Sequence, residues 1–175
     1  MLAITVTGSS TFGNDIALFN IGKTEPPHPY LQTPFNEGAA VFSPDGHWIA
    51  YSSDETGRYE IYVHEFPGPG GKYQISTEGG TEPAWNRNGR ELFYRSGDKL
   101  MAVDILTHPA FSAGKPKFLF QGQYQPDPTV NANYDVSPDG QRFLMLKPGA
   151  TQEMAPTQIN VVLNWFEELK QKAAK

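Results

Sequence analysis

Three short polar residues recur at one place in a repeated phrase, and they are the first chemistry the chain offers. Asp45 lies in S-P-D-G, Asn88 in N-R-N-G and Asp139 again in S-P-D-G, 43 and then 51 positions apart. Oxygen ligands at a fixed place in a repeat could ring a cation. They could equally close a turn, because Asp and Asn side chains accept from backbone N–H groups two residues on. The turn is better supported. Each residue is followed by Gly46, Gly89 or Gly140, which can take a positive φ, and Asn is a poorer cation ligand than Asp. These six residues are expected to be structural, with no metal site.

A second set lies just before or at the start of the strands that lead into those turns: Glu37, Thr81, Glu82, Asn131 and Asn133. If the strands line a common channel, these residues ring one mouth of it and form a polar funnel for a peptide or ligand. The plainer alternative is a set of solvated loop ends. No catalytic constellation accompanies them. The four histidines, His28, His47, His64 and His108, show neither H-x-x-x-H nor H-x-H spacing. No G-x-S-x-G elbow is present, and G-S-S-T-F-G at residues 8–13 lies between two strands. P-G-P-G-G at residues 67–71 has strands on both sides and no helix to hold a phosphate. Glu167 and Glu168 read as a solvated helix face. The expectation is a protein that is not an enzyme and needs no cofactor.

Composition narrows the partners. Nineteen acidic against fourteen basic residues give a net charge of −5, with no basic patch, which argues against nucleic acid. Cysteine is absent, so disulfides and thiolate-bound metals are excluded. No apolar run is long enough to insert into a bilayer, and no secretory signal is visible. At 175 residues the chain can bury one sizeable core.

The elements that would hold these residues are strands. Apolar runs rich in β-branched and aromatic residues alternate with Gly, Pro and Asn turns. Strands are expected at residues 2–7, 15–21, 30–33, 39–43, 47–53, 58–65, 72–77, 82–86, 91–95, 100–105, 117–121, 133–137, 141–147 and 158–163, then a short helix over 164–172. A period near 43 with four strands per period is the pattern of propeller blades, which cannot bury both faces alone and must stack. The rival is a two-sheet sandwich, whose strands would be more evenly spaced and without the recurring turn. The fold class is all-β: one partial β-propeller of about four blades, with antiparallel four-stranded units at 38–80 and 81–125 between an incomplete 1–37 and an incomplete 126–164, then the helix over 164–172. Trp48, Tyr51, Tyr59, Tyr62, Trp85, Phe93 and Tyr94 should fill the space between blades.

F-S-P-D-G-H-W-I-A-Y-S-S followed by E-I-Y-V resembles the TolB-type, WD40-like β-propeller repeat. Residues 33–105 resemble more narrowly the propellers C-terminal to some bacterial serine/threonine protein kinases, and Y-D-V-S-P-D-G-Q-R-F-L with V-V-L-N-W-F-E-E-L-K resembles their ends. The resemblance implies that the first blade lacks its inner strand and the last an outer strand. It also implies a module that binds a protein or peptide, in an extracytoplasmic or periplasmic setting, with open blades completed by a second copy. A ligand-sensing propeller of a kinase-type parent is the alternative. A hydrolase or peptidase-associated propeller is the third.

Overall fold

A computed structural model describes residues 1–7, 13–68, 70–125 and 132–148. The described residues form antiparallel sheets and no helix. β1 (Leu2–Thr7), β2 (Asn14–Phe19) and β3 (His28–Leu31) make a three-stranded sheet in chain order. β4 (Glu37–Phe42), β5 (Trp48–Ser53), β6 (Glu60–Glu65) and β7 (Lys72–Gln74) make the complete four-stranded meander. β8 (Thr81–Trp85), β9 (Glu91–Ser96) and β10 (Lys99–Leu106) repeat it. The edge of β10 is shared by β11 (Ser112–Ala113) and β12 (Lys117–Gln121). β13 (Tyr134–Val136) and β14 (Phe143–Met145) form a two-stranded sheet. The described residues form a partial β-propeller, with three strands in the first sheet and two in the last.

The recurring turn joins the first two strands of each meander by one hydrogen-bond pattern. The Gly46 N–H donates to the Ser43 carbonyl at 2.9 Å, and the Gly140 N–H to the Ser137 carbonyl at 2.8 Å. Asn86 serves Gly89 in the same way at 2.9 Å. The Ser43 hydroxyl donates to Asp45 Oδ1 and accepts from the Trp48 N–H, while Asp45 Oδ1 also accepts from the His47 N–H. Ser137, Asp139, Gln141 and Arg142 reproduce this arrangement, and Asn88 Oδ1 accepts from the Arg90 N–H. All three glycines have φ near +70°, between 69° and 74°, so an L-residue there would be strained.

Period-2 alternation sends successive side chains of each strand to opposite neighbours. On β5, Trp48 and Ala50 face the next blade, packing with Leu92, Tyr94, Val103 and Ile105, while Ile49 and Tyr51 face the first sheet, packing with Ile16 and Ala3. On β9, Phe93 turns to the last blade and packs with Tyr134 and Phe143. Tyr51 and Tyr62 stack at 5.8 Å, and Trp48 lies over Phe111 at 4.7 Å. Six of the seven aromatics expected between blades belong to these cores, and Tyr59 does not.

Several elements differ from the sequence expectation: the strand expected over 30–33 is His28–Leu31, and that over 141–147 is shortened to Phe143–Met145. The loop before Pro116 contributes β11, too short to show a pattern. The strand expected near 72–77 closes at Gln74, although the Ile75 N–H still reaches the Ile61 carbonyl at 2.8 Å. The strand expected over 158–163, the helix over 164–172 and Asn131 lie outside the described residues.

Candidate binding site at the channel mouth

The first strand of each full blade is broken by a bulge near its start. In β4 the register shifts between Gly38 and Val41, and in β8 between Thr81 and Ala84. One residue inside each bulge takes a left-handed conformation, Ala39 at φ 53° and Glu82 at φ 57°. Bulges of this kind re-aim a side chain. Counting back from the turns, Asn133 occupies the same place in the last blade.

Glu82 is thereby aimed into the protein and not at solvent. Its Oε1 accepts from the Arg95 guanidinium at 3.2 Å, with both side chains buried. Its Oε2 accepts from the Asn133 N–H at 3.0 Å, and its carbonyl accepts from the Tyr134 hydroxyl at 2.8 Å. Arg95 also donates to the carbonyls of Gly97 and Gln125. This network bolts the third blade to the chain that enters the fourth. Burial, with the Glu82 charge beside it, pushes the Tyr134 phenol well above its usual range, so it remains a donor.

Glu37 is buried as well. Its Oε1 accepts from the Thr33 hydroxyl at 2.5 Å and from the Ser53 hydroxyl at 3.3 Å. Its Oε2 and the Asp15 Oδ1 find no donor among the described residues. Burial raises the Glu37 pKa, the Thr33 and Ser53 hydrogen bonds oppose this, and the charges of Asp15 and Asp54 add to it. Partial burial pushes Asp45 upward, but the hydrogen bonds from Ser43 and the His47 N–H outweigh it and hold Asp45 below the usual range.

Of the residues expected to form a polar funnel, Glu37 and Glu82 are buried, Thr81 and Asn133 are half-buried, and Asn131 is outside the described residues. Beside them lies a cavity of about 320 Å³ lined by Ala3, Ile4 and Thr5 of β1, Ala39, Ala40 and Val41 of β4, Pro83 of β8 and Ala132. Four successive blades meet there with small, mostly apolar side chains. Sequence inspection missed it because Ala and Pro carry no chemical signature. The available signal was that Ala39 holds in its blade the repeat position that Glu82 holds in the next.

The other candidates have plain roles. Among the described residues no group of three or more His, Asp or Glu could hold a metal ion. His64 Nδ1 lies 3.1 Å from the Tyr30 hydroxyl, tying the first blade to the second, and burial lowers its pKa. The serine hydroxyls of Ser43, Ser53 and Ser76 are committed to carboxylates. No described helix is long and apolar enough to cross a membrane.

No protein-family model matches the chain. No curated protein matches it either. Solved structures do. TolB from Acinetobacter baumannii superposes with a TM-score of 0.50 at 14% identity, over 85% of this chain and 47% of that one. A putative TolB from Agrobacterium tumefaciens gives 0.58 at 18% identity, over 82% and 52%. At these identities the likeness is one of fold, a TolB-like β-propeller. The chain spans about half the length of each of these structures.

Proposed function

We propose that this chain is a non-enzymatic interaction module that takes an extended protein segment at the channel mouth. The observation that carries this reading is the cavity where residues of four blades converge with mostly apolar side chains, next in the chain to the half-buried Thr81 and Asn133. Such a wall lets a backbone approach closely, and the rim polar groups can pair with it. The TolB-like fold supports an interaction role as analogy only. A ligand-sensing propeller of a kinase-type parent rests on the motif likeness at residues 33–105, and the two TolB structures add nothing to it.

The test is a peptide array drawn from bacterial envelope proteins, probed with the whole chain. Bound peptides are then titrated against Ala132→Trp, which fills the mouth, and Asn133→Arg, which crowds the rim. Affinity should fall at least tenfold in both variants, about 1.4 kcal/mol. Peptides that bind both variants as tightly as the parent chain would contradict the reading. A small molecule that raises the melting temperature while no peptide binds would favour the sensing alternative.

A further inference from the structure

Three glutamates, Glu37, Glu60 and Glu82, are at most 2% exposed. Two of them hold an arginine. Glu60 Oε1 accepts from Arg58 Nε at 2.7 Å, and Glu82 Oε1 from the Arg95 guanidinium at 3.2 Å. Their second oxygens are also served, by the Ser76 hydroxyl and by the Asn133 N–H. Glu37 departs from this rule. Its Oε1 takes only the neutral hydroxyls of Thr33 and Ser53, and its Oε2 has no donor among the described residues.

In place of an arginine, Glu37 has more acid beside it. Asp15 of β2 is near enough for its charge to act on Glu37. Asp15 Oδ2 accepts from Gln32 Nε2 at 3.3 Å, and its buried Oδ1 has no donor among the described residues. Gln32 and Thr33 are consecutive, so one short segment touches both carboxylates. A cavity of about 240 Å³ opens there, lined by Asp15, Gln32, Thr33 and Pro34. Asp54 adds a third charge, but its oxygens are taken by the Asn36 N–H and side-chain amide at 2.8 and 2.7 Å. No described Lys, Arg or His forms an ion pair with Asp15 or Glu37. A buried carboxylate without a counter-charge is costly.

We infer that a hard divalent cation, calcium or magnesium, binds at Asp15 and Glu37, where the first blade meets the second. It supplies to Glu37 the positive charge that Arg58 and Arg95 supply to the other two glutamates. The ligands on offer are carboxylate oxygens, which suit these ions and not softer metals. Two carboxylates do not close a cage, so water in the adjoining cavity completes the shell, as is common for such ions. Outside the described residues the sequence holds three further basic side chains, Lys170, Lys172 and Lys175, and the test below separates them from an ion. None of this depends on the channel-mouth reading.

The whole chain, stripped with a chelator, is titrated at neutral pH with calcium chloride and separately with magnesium chloride, and followed by calorimetry and thermal melting. At least one of the two should bind with a dissociation constant of about 0.1–1 millimolar and raise the melting temperature by about 5 °C near saturation. Asp15→Asn and Glu37→Gln should each weaken binding at least tenfold, while Asp98→Asn, an exposed acid of the third blade, leaves it unchanged. Without metal, Glu37→Gln should melt no lower than the parent chain, because it removes the unmatched charge, so its lost binding is not lost folding. A chain that binds neither cation below about 10 millimolar overturns the inference. So does binding that Asp15→Asn and Glu37→Gln leave intact. So does a loss of stability on replacing Lys170, Lys172 and Lys175 by Gln that Glu37→Gln cancels, because a lysine is then the counter-charge.

Discussion

The junction between the second and third blades and the open face of the last blade are built from the same repeat, yet only one is filled. Trp48, Ala50, Ile61 and Val63 meet Leu92, Tyr94, Val103 and Ile105 with almost no exposed surface. Leu144, at the position of Ala50, stands in water. The strand pattern is the same in both places, so what differs is the neighbour. The repeat encodes a surface for stacking, and the stack decides whether that surface becomes a core.

This contrast can be broken most sharply by truncation. Trp48→Ala should destabilise the chain by about 3–5 kcal/mol in urea denaturation, because a large ring leaves a cavity between two blades. Leu144→Ala should cost less than about 0.5 kcal/mol, because its side chain is already in water. Equal costs at both sites would erase the distinction.

The buried network is the next largest effect. Glu82→Gln leaves the Arg95 guanidinium buried without its counter-charge and should cost about 3 kcal/mol, read in the same denaturation series. Arg95→Met paired with Glu82→Gln should cost less than either change alone. Equal or additive losses would show that the pair does not act as a unit.

Glu37 sharpens the comparison from the opposite side. Its folded pKa is raised, so the folded state favours the protonated acid. That stability is present at low pH and is lost as pH rises above the usual glutamate range. Glu37→Gln should flatten the fall in melting temperature as pH rises above the usual glutamate range, with little change below it. A profile parallel to the parent chain would show that Glu37 ionises at no cost. Asp45 has the opposite sign: its stabilisation is lost as pH falls below the usual aspartate range.

The smallest effect belongs to the turns. Ser43→Ala removes a buried hydroxyl that joins Asp45 to the Trp48 N–H and should cost about 1 kcal/mol. Ser137→Ala removes the same bonds in the last blade, where water can replace them, and should cost a fraction of that. A larger loss at Ser137 would mean that the last blade is better covered than its exposure indicates.

The blades were legible because their signals are local. S-P-D-G fixes a turn through Ser, Asp and Gly within four residues, and the flanking alternation assigns each side chain to one neighbour. The mouth was not legible, because it depends on two bulges at Ala39 and Glu82, non-glycine residues that give no hint of a positive φ. Read as ordinary strand starts, Glu37 and Glu82 belong on a solvated rim. The bulges and the partners Thr33, Ser53, Arg95 and Asn133 put their carboxylates inside. Those partners are up to 51 residues away in sequence, beyond the reach of any local pattern.

The most direct measurement compares Phe93→Ala with Leu144→Ala, two residues at one repeat position, in urea denaturation. The account predicts a loss of about 3–5 kcal/mol at Phe93 and less than about 0.5 kcal/mol at Leu144. Equal losses would contradict the account in which the neighbouring blade decides what a repeat position buries.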